Sequence, residues 1–304
     1  MRYIFGPVPS RRLGFSLGVD LTGYKRCSLN CIYCQLGPTL RKTVVRRQYI
    51  AIADIIAELK QALRGNRCID FITLSGSGEP TLNSKIGPLI KAIKKTTAIP
   101  VAVLTNSTLL TKPRVAQALL EADVVSPSLD AATQGVFRKI NRPHKSLKIT
   151  QIIKALVAFR RQFTHQLWLE ILFVKGVNDS TQEISQLVRQ VKRIKPDKVH
   201  LNTVVRPPAE AFARPVSQAF LRRTAKKFSP PAECIVAAHR GRQRKENGAA
   251  GGQIVRMAKR RPVTLEDICV SLGLHPNQAL KIIERLLSQG RLRSRIFRNK
   301  RYYE

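Results

Sequence analysis

The amino-acid sequence predicts an α/β protein, a partial barrel of six β/α units followed by a small winged-helix-like domain. Three observations carry that prediction. Between about residues 15 and 205, short β-branched or apolar runs alternate with amphipathic stretches of helical length, the pattern of repeated β/α units on a parallel sheet. The 304 residues are 43% hydrophobic with 17 Gly and 17 Pro, enough apolar content for a sizeable core and unlike a disordered or collagen-like chain. After Arg206 the pattern changes to helix, helix, turn, helix and a basic hairpin.

Taken in order, the strands are expected at 17–21, 69–74, 101–104, 124–129, 168–174 and 199–204. Helices are expected between them at 52–63, 85–96, 112–121, 147–163 and 181–194. These spacings suit crossover helices between parallel strands, with right-handed connections. A basic helix follows at 218–228, and HRGRQRKENGAAGG reads as a linker. Further helices are expected at 253–258, 264–271 and 275–289, with Gly273 at the bend and 291–304 as the hairpin. Ile268, Leu272, Leu274, Leu280, Ile283, Leu286 and Leu287 would form the small core of this unit. The organisation is thus a core over 1–210, an extension and basic linker over 211–252, and a winged-helix-like domain over 253–304.

Charge narrows the partners. The chain carries 54 Lys plus Arg against 19 Asp plus Glu, a formal charge of +35, of which +15 lies in residues 206–304. Both parts are basic, so RNA or another polyanion is expected along the surface, held with an affinity that falls as salt rises. A solvated Arg-rich surface is the bland alternative. No apolar run approaches the roughly 18 to 20 residues of a membrane span, and the first residues lack a continuous signal core. We therefore expect a cytoplasmic protein with no membrane partner.

Three of the six cysteines, Cys27, Cys31 and Cys34, fall within eight positions after the first expected strand, in the spacing C-x3-C-x2-C. Thiolates bind zinc or iron. Three protein ligands leave a coordination position for an exogenous group, whereas a closed structural site takes four. Cys269 lies on an apolar helix face and reads as packing. The second motif, Leu74-Ser75-Gly76-Ser77-Gly78-Glu79-Pro80, follows the second strand; glycines there let backbone approach a ligand. It lacks the GK[ST] of a phosphate loop and the spacing of a dinucleotide fingerprint. Polar residues at the carboxyl ends of later strands, such as Asn106, Ser128 and Asp130, would face the same mouth. Taken singly, each is more often a turn or a helix cap.

The pattern C-x3-C-x-aromatic-C after the first strand of a β/α series resembles the radical S-adenosylmethionine superfamily. That resemblance implies a 4Fe-4S cluster held by Cys27, Cys31 and Cys34, with S-adenosyl-L-methionine (SAM) chelating its fourth iron. Tyr33 would pack near the adenine. Gly76, Ser77, Gly78 and Glu79 correspond to a segment that meets the methionyl amine, with Ser77 interrupting the glycine pair and Glu79 also able to order the loop. Asn106, Ser128 and Asp130 become candidates for ribose and carboxylate contacts. The segments GPVPSRRLG at 6–14, CQLGP at 34–38 and LNTVVRPP at 201–208 resemble a largely uncharacterised group related to the tRNA wyosine synthases and glycyl-radical activases. No additional cysteine set precedes Cys27, a departure from the wyosine synthases.

The resemblance implies an iron–sulfur enzyme that takes an electron from a flavodoxin- or ferredoxin-like donor and cleaves SAM reductively. A 5′-deoxyadenosyl radical then abstracts hydrogen from a substrate, with RNA, tRNA included, the leading candidate class. Two alternatives stand beside it: an activase-like enzyme acting on a protein, and an iron–sulfur redox sensor that binds DNA. The glycine-rich segment favours a bound small ligand and hence an enzyme. His144, and His200 with Asn202, are candidate substrate-side residues, although structural roles are commoner for such positions.

Overall fold

The chain opens with an antiparallel pair, β1 (Ile4–Ser10) and β2 (Gly14–Asp20). The computed structural model describes residues 2–64, 68–235 and 250–304, so most of the basic linker lies outside the described residues. After two short strands, β3 (Arg26–Cys27) and β4 (Arg41–Lys42), come α1 (Ile52–Leu63), β5 (Phe71–Ser75), α2 (Ile86–Thr96), β6 (Val101–Thr105), α3 (Pro113–Leu119) and β7 (Val124–Pro127). The next elements are α4 (Gln134–Asn141), α5 (Ile149–Gln162), β8 (Gln166–Phe173), α6 (Thr181–Ile194), β9 (Lys198–Thr203), α7 (Gln218–Ala225) and β10 (Glu233–Cys234). Three helices and a hairpin end the chain: α8 (Ala250–Arg260), α9 (Leu265–Leu272), α10 (Pro276–Ser288), β11 (Ser294–Phe297) and β12 (Lys300–Tyr303).

One eight-stranded sheet runs β1-β2-β5-β6-β7-β8-β9-β10, parallel from β2 onward. The six central strands are the six expected. β1 was not expected, because Gly6, Pro7 and Pro9 are residues that interior strands avoid. It is tolerated as an edge strand with a bulge between Phe5 and Val8. In β8 burial alternates: Leu167, Leu169, Ile171 and Phe173 are buried, while Glu170 and Leu172 reach a cavity on the opposite face. Amphipathic helices cover the outer face; α6 buries Ile184, Leu187, Val191 and Ile194 at helical spacing. Its cap is Ser180, which accepts from the Glu183 N–H, while the neighbouring Asp179 accepts from Gly176 N–H.

Leu13, from the β1–β2 turn, packs with Ala102, Val124, Phe71, Leu104 and Trp168 near the amino ends of the central strands. That apolar plug closes one end and leaves the carboxyl ends for chemistry. The C-terminal elements follow the expected order. A Thr264–Asp267 capping box starts α9, and Gly273 at φ 62° ends it. Their core, with Ile254, Met257, Ile268, Leu272, Ile283, Leu286 and Tyr303, also takes in Val8 of β1, and Cys269 is buried within it. Of the expected core, Leu274, Leu280 and Leu287 are only partly buried. Tyr302 donates its hydroxyl to the Val205 carbonyl at 2.8 Å, and Arg260 donates to that of Arg2 at 2.8 Å. Among the described residues no helix is long and apolar enough to cross a membrane.

Candidate active site

The cysteine loop leaves β2 through Lys25, a non-glycine residue at φ 56°, and is stitched to the glycine-rich turn after β5. Lys25 N–H donates to the Ser77 carbonyl at 2.9 Å, and Glu79 N–H to that of Arg26 at 3.1 Å. A Cβ on Gly78 would run into the Arg26 carbonyl oxygen, and one on Gly76, at φ 121°, would meet Asp20 Cγ at 2.7 Å. Close backbone approach within the protein therefore already demands both glycines.

Each of the three sulfurs receives a side-chain N–H. Asn106 Nδ2 lies 3.3 Å from Cys27 Sγ, Asn141 Nδ2 3.3 Å from Cys31 Sγ, and Lys25 Nζ 3.5 Å from Cys34 Sγ. Burial pushes the Cys27 thiol up to about 12, helped by the Glu79 carboxylate, and pushes Cys31 upward for the same reason with Asp130 adding to it. Buried sulfurs of this kind become thiolates only against metal cations. Among the described residues, no three His, Cys, Asp or Glu side chains converge on a single ion. An all-sulfur donor set with N–H support, spread rather than focused on one point, fits an iron–sulfur cluster with one iron per cysteine better than a zinc ion.

Glu79 is buried and fully engaged: its carboxylate accepts from Thr81 N–H (3.1 Å), Thr81 Oγ1 (2.5 Å), Thr105 Oγ1 (2.6 Å) and Asn106 N–H (2.7 Å). Asn106 is engaged too, donating to Ser28 Oγ at 2.9 Å and accepting from Thr108 Oγ1 at 2.7 Å. Asp130 accepts from Tyr33 Oη, from Asn141 Nδ2 at 2.8 Å and from Leu172 N–H at 2.9 Å, and burial raises its carboxyl. Tyr33, Asn106, Ser128 and Asp130 line one small cavity of about 40 Å³ with Phe137 and Ile149. Ser77 donates to Asp20, whose other oxygen accepts from Thr22 N–H at 3.3 Å. The His144 ring pairs with Ser146 while its backbone N–H donates to the Ser28 carbonyl at 2.9 Å, and His200 is buried against Trp168.

Two adjoining cavities, about 300 and 380 Å³, open beside the sulfurs, each within the size range of a small-ligand site. The first is lined by the three cysteines with Gly76, Ser77 and Gly78, and so fits a SAM-sized ligand next to a cluster. Residues that the sequence reading left unassigned also converge here. Arg12 pairs with Glu170 at 2.7 Å, and Arg11 donates to Asn202 Oδ1 at 2.7 Å and to the Ile235 carbonyl at 3.1 Å. Burial would raise the Glu170 carboxyl, but the Arg12 and Arg11 guanidiniums hold it below the usual range. Asn141 and Lys25 were missed as well. The available signal was the Arg-Arg pair in a hairpin turn between two apolar strands; Asn141 had none, since α4 brings it in from a distant segment.

A family model described as the radical SAM superfamily matches residues 21–188, a span that holds the cysteine loop, the glycine-rich turn and Asp130. The chain belongs to the radical SAM superfamily. Its cofactors are those of the family, a 4Fe-4S cluster and SAM. Within the superfamily it is 33% identical over 294 residues to a UPF0026 protein of Helicobacter pylori, covering 95% of this chain and 93% of that one, and so belongs to that group too. It is 36% identical over 301 residues to a Brachyspira hyodysenteriae protein named GTPase Obg; the match covers 96% of this chain but spans only 44% of that protein. A Thermotoga protein named probable dual-specificity RNA methyltransferase RlmN is more distant, 28% identical over 64% of this chain and 57% of its own length. The fold is shared with a radical SAM methyltransferase of Sphaerobacter thermophilus at TM-score 0.57 and 19% identity, over 74% of this chain and 67% of that one.

Proposed function

We propose that the chain is a radical SAM enzyme acting on RNA, with Cys27, Cys31 and Cys34 as the cluster ligands. The observation that carries it is the set of three partly buried cysteines, each sulfur with its own N–H donor, beside a cavity at the carboxyl ends of a parallel sheet. When bound, the reduced cluster and SAM supply a 5′-deoxyadenosyl radical able to take a hydrogen atom from substrate, and the electron comes from an external reductant of flavodoxin or ferredoxin type. The chain's own residues do the positioning. Asn106, Asn141 and Lys25 orient the sulfurs. Glu79 ties the glycine-rich turn to the end of β6 through Thr105 and Asn106. Asp130 fixes the Tyr33 ring through its hydroxyl. The Leu13 plug keeps water from the amino end.

RNA as the substrate class rests on the +35 charge, on the more distant relatives named RNA methyltransferases, and on the terminal hairpin, which exposes Arg293, Arg295, Lys300, Arg301 and, at 68%, the apolar Ile296. We read that unit as a winged helix whose wing meets the polyanion. The test is anaerobic reconstitution with iron and sulfide, reduction by dithionite, and chromatographic assay of 5′-deoxyadenosine, with Cys31→Ala as control. Cysteine-dependent product supports the chemistry. A reducible cluster that yields none, under conditions where a known enzyme of this kind works, removes it in favour of an iron–sulfur sensor.

A further inference from the structure

Five arginines meet on the larger cavity: Arg11 and Arg12 from the β1–β2 turn, Arg206 after β9, and Arg260 and Arg261 from the end of α8. Three have a carboxylate partner, Arg12 with Glu170 at 2.7 Å, Arg206 with Asp267 at 3.6 Å and Arg260 with Asp20 at 3.5 Å. Glu79 also lines the cavity, but its oxygens are occupied by Thr81, Thr105 and Asn106. Among the described residues Arg11 and Arg261 share the fields of Glu170 and Asp267, which already pair with Arg12 and Arg206, so five guanidiniums face three paired carboxylates. Among the described residues, Arg12 Nε and Arg261 Nη2 are buried without a hydrogen-bond partner, and Arg260 Nε faces only the Asp20 carboxylate at 3.5 Å. Burial, with Arg206 close to both, lowers Arg11 to about 9 and Arg261 to about 10.

Buried guanidiniums with unused N–H groups are costly unless an anion completes them. The fork of a guanidinium matches phosphate oxygens two at a time, and two surplus positive charges match a phosphate group. A carboxylate would leave more of these donors unused.

We propose that this cavity takes a phosphate group of the substrate, with Arg11 and Arg261 as its main ligands and Arg206 between them. The C-terminal unit is then a wall of the active site, since α8 and the residue after it deliver two of the five arginines. This inference deepens the RNA reading by naming the part of the substrate that enters the core. It implies that the reacting nucleotide is held by its own or a neighbouring phosphate, while the exposed hairpin grips sequence farther away.

The test is calorimetric titration of the cluster-loaded protein with inorganic phosphate, with and without saturating SAM. It does not depend on turnover, so it can fail while 5′-deoxyadenosine is still formed, and the converse. Phosphate is expected to bind in the presence of SAM, and to bind at least tenfold more weakly to Arg261→Gln and Arg11→Gln. Lys192→Gln, on the exposed face of α6, should bind as wild type. Arg261→Lys should fall between, keeping the charge without the fork. Equal phosphate affinity in Arg261→Gln and wild type overturns the proposal. So does competition by SAM together with weakened SAM binding in the variants, which would assign these arginines to the SAM carboxylate; acetate binding as tightly as phosphate would assign them to a carboxylate substrate. Should Arg11→Gln fail to fold, because Arg11 also ties β9 to Ile235, the Arg261 variants decide alone.

Discussion

Asn141 shows how much one side chain does at this site: its amide reaches Cys31 Sγ at 3.3 Å and the Asp130 carboxylate at 2.8 Å. The sulfurs are the clearest place to test roles one residue at a time. Cys27→Ala, Cys31→Ala and Cys34→Ala should each lose bound iron after reconstitution. Cys269→Ala should keep it, because Cys269 lies in the small C-terminal core, and should cost only about 1 kcal/mol in a denaturation curve. Equal iron in all four proteins would remove the ligand assignment. The Arg12–Glu170 pair offers a stability test of a different kind. Glu170→Gln leaves a buried guanidinium without its carboxylate and should destabilise by about 3 kcal/mol in urea. The Glu170 carboxyl is held below its unfolded value, so its contribution is present above the ordinary glutamate range and is lost as pH falls through the depressed value. The variant's stability should therefore approach that of the wild type in acid, and a constant gap across pH would count against the pair.

At the scale of elements, the join between the cysteine loop and the glycine-rich turn is the feature most sensitive to one added carbon. Gly78→Ala forces a Cβ against the Arg26 carbonyl and Thr22 Oγ1, so it should displace the strand that carries Cys27 and reduce iron loading. Gly37→Ala has nothing within 4 Å of the new Cβ; it should load iron normally and cost about 1 kcal/mol for its φ of 80°. Iron content measured for the two side by side checks the claim. The six parallel strands, and α1, α2, α5 and α6, were legible because each combines apolar runs with a clear period. β1 was hidden by its glycine and prolines, and α4 by its shortness, its apolar Val136, Phe137 and Ile140 spanning little more than one turn. The cysteine loop was legible as a local spacing. Its N–H donors and the arginine wall were not, because Lys25, Asn106, Asn141 and Arg261 meet only through tertiary packing, which local sequence does not encode.

For the whole molecule the governing fact is a charge of +35 spread over both units. The C-terminal unit shares its core with Val8 of β1 and is tied to the rest of the chain by Tyr302 and Arg260, so its removal uncovers an edge strand as well as taking away cationic surface. A shortened chain would confound stability with binding. Substitution on the exposed hairpin separates them. Replacing Arg293, Arg295, Lys300 and Arg301 together by Gln touches neither the buried Tyr302 and Tyr303 nor the sulfurs. Iron content and 5′-deoxyadenosine formation should stay at wild-type levels, while tRNA retention in an electrophoretic shift should weaken. The salt response gives the second half of the argument. A protein that neutralises about six to ten phosphates loses roughly a thousandfold or more in affinity between 50 and 200 mM salt, through release of condensed counterions. The wild type should show that steep loss and the quadruple variant a shallower one, because fewer phosphates are neutralised. If both slopes are flat, the charge serves solubility alone, and RNA falls away as the substrate class while the radical chemistry at the three cysteines is untouched.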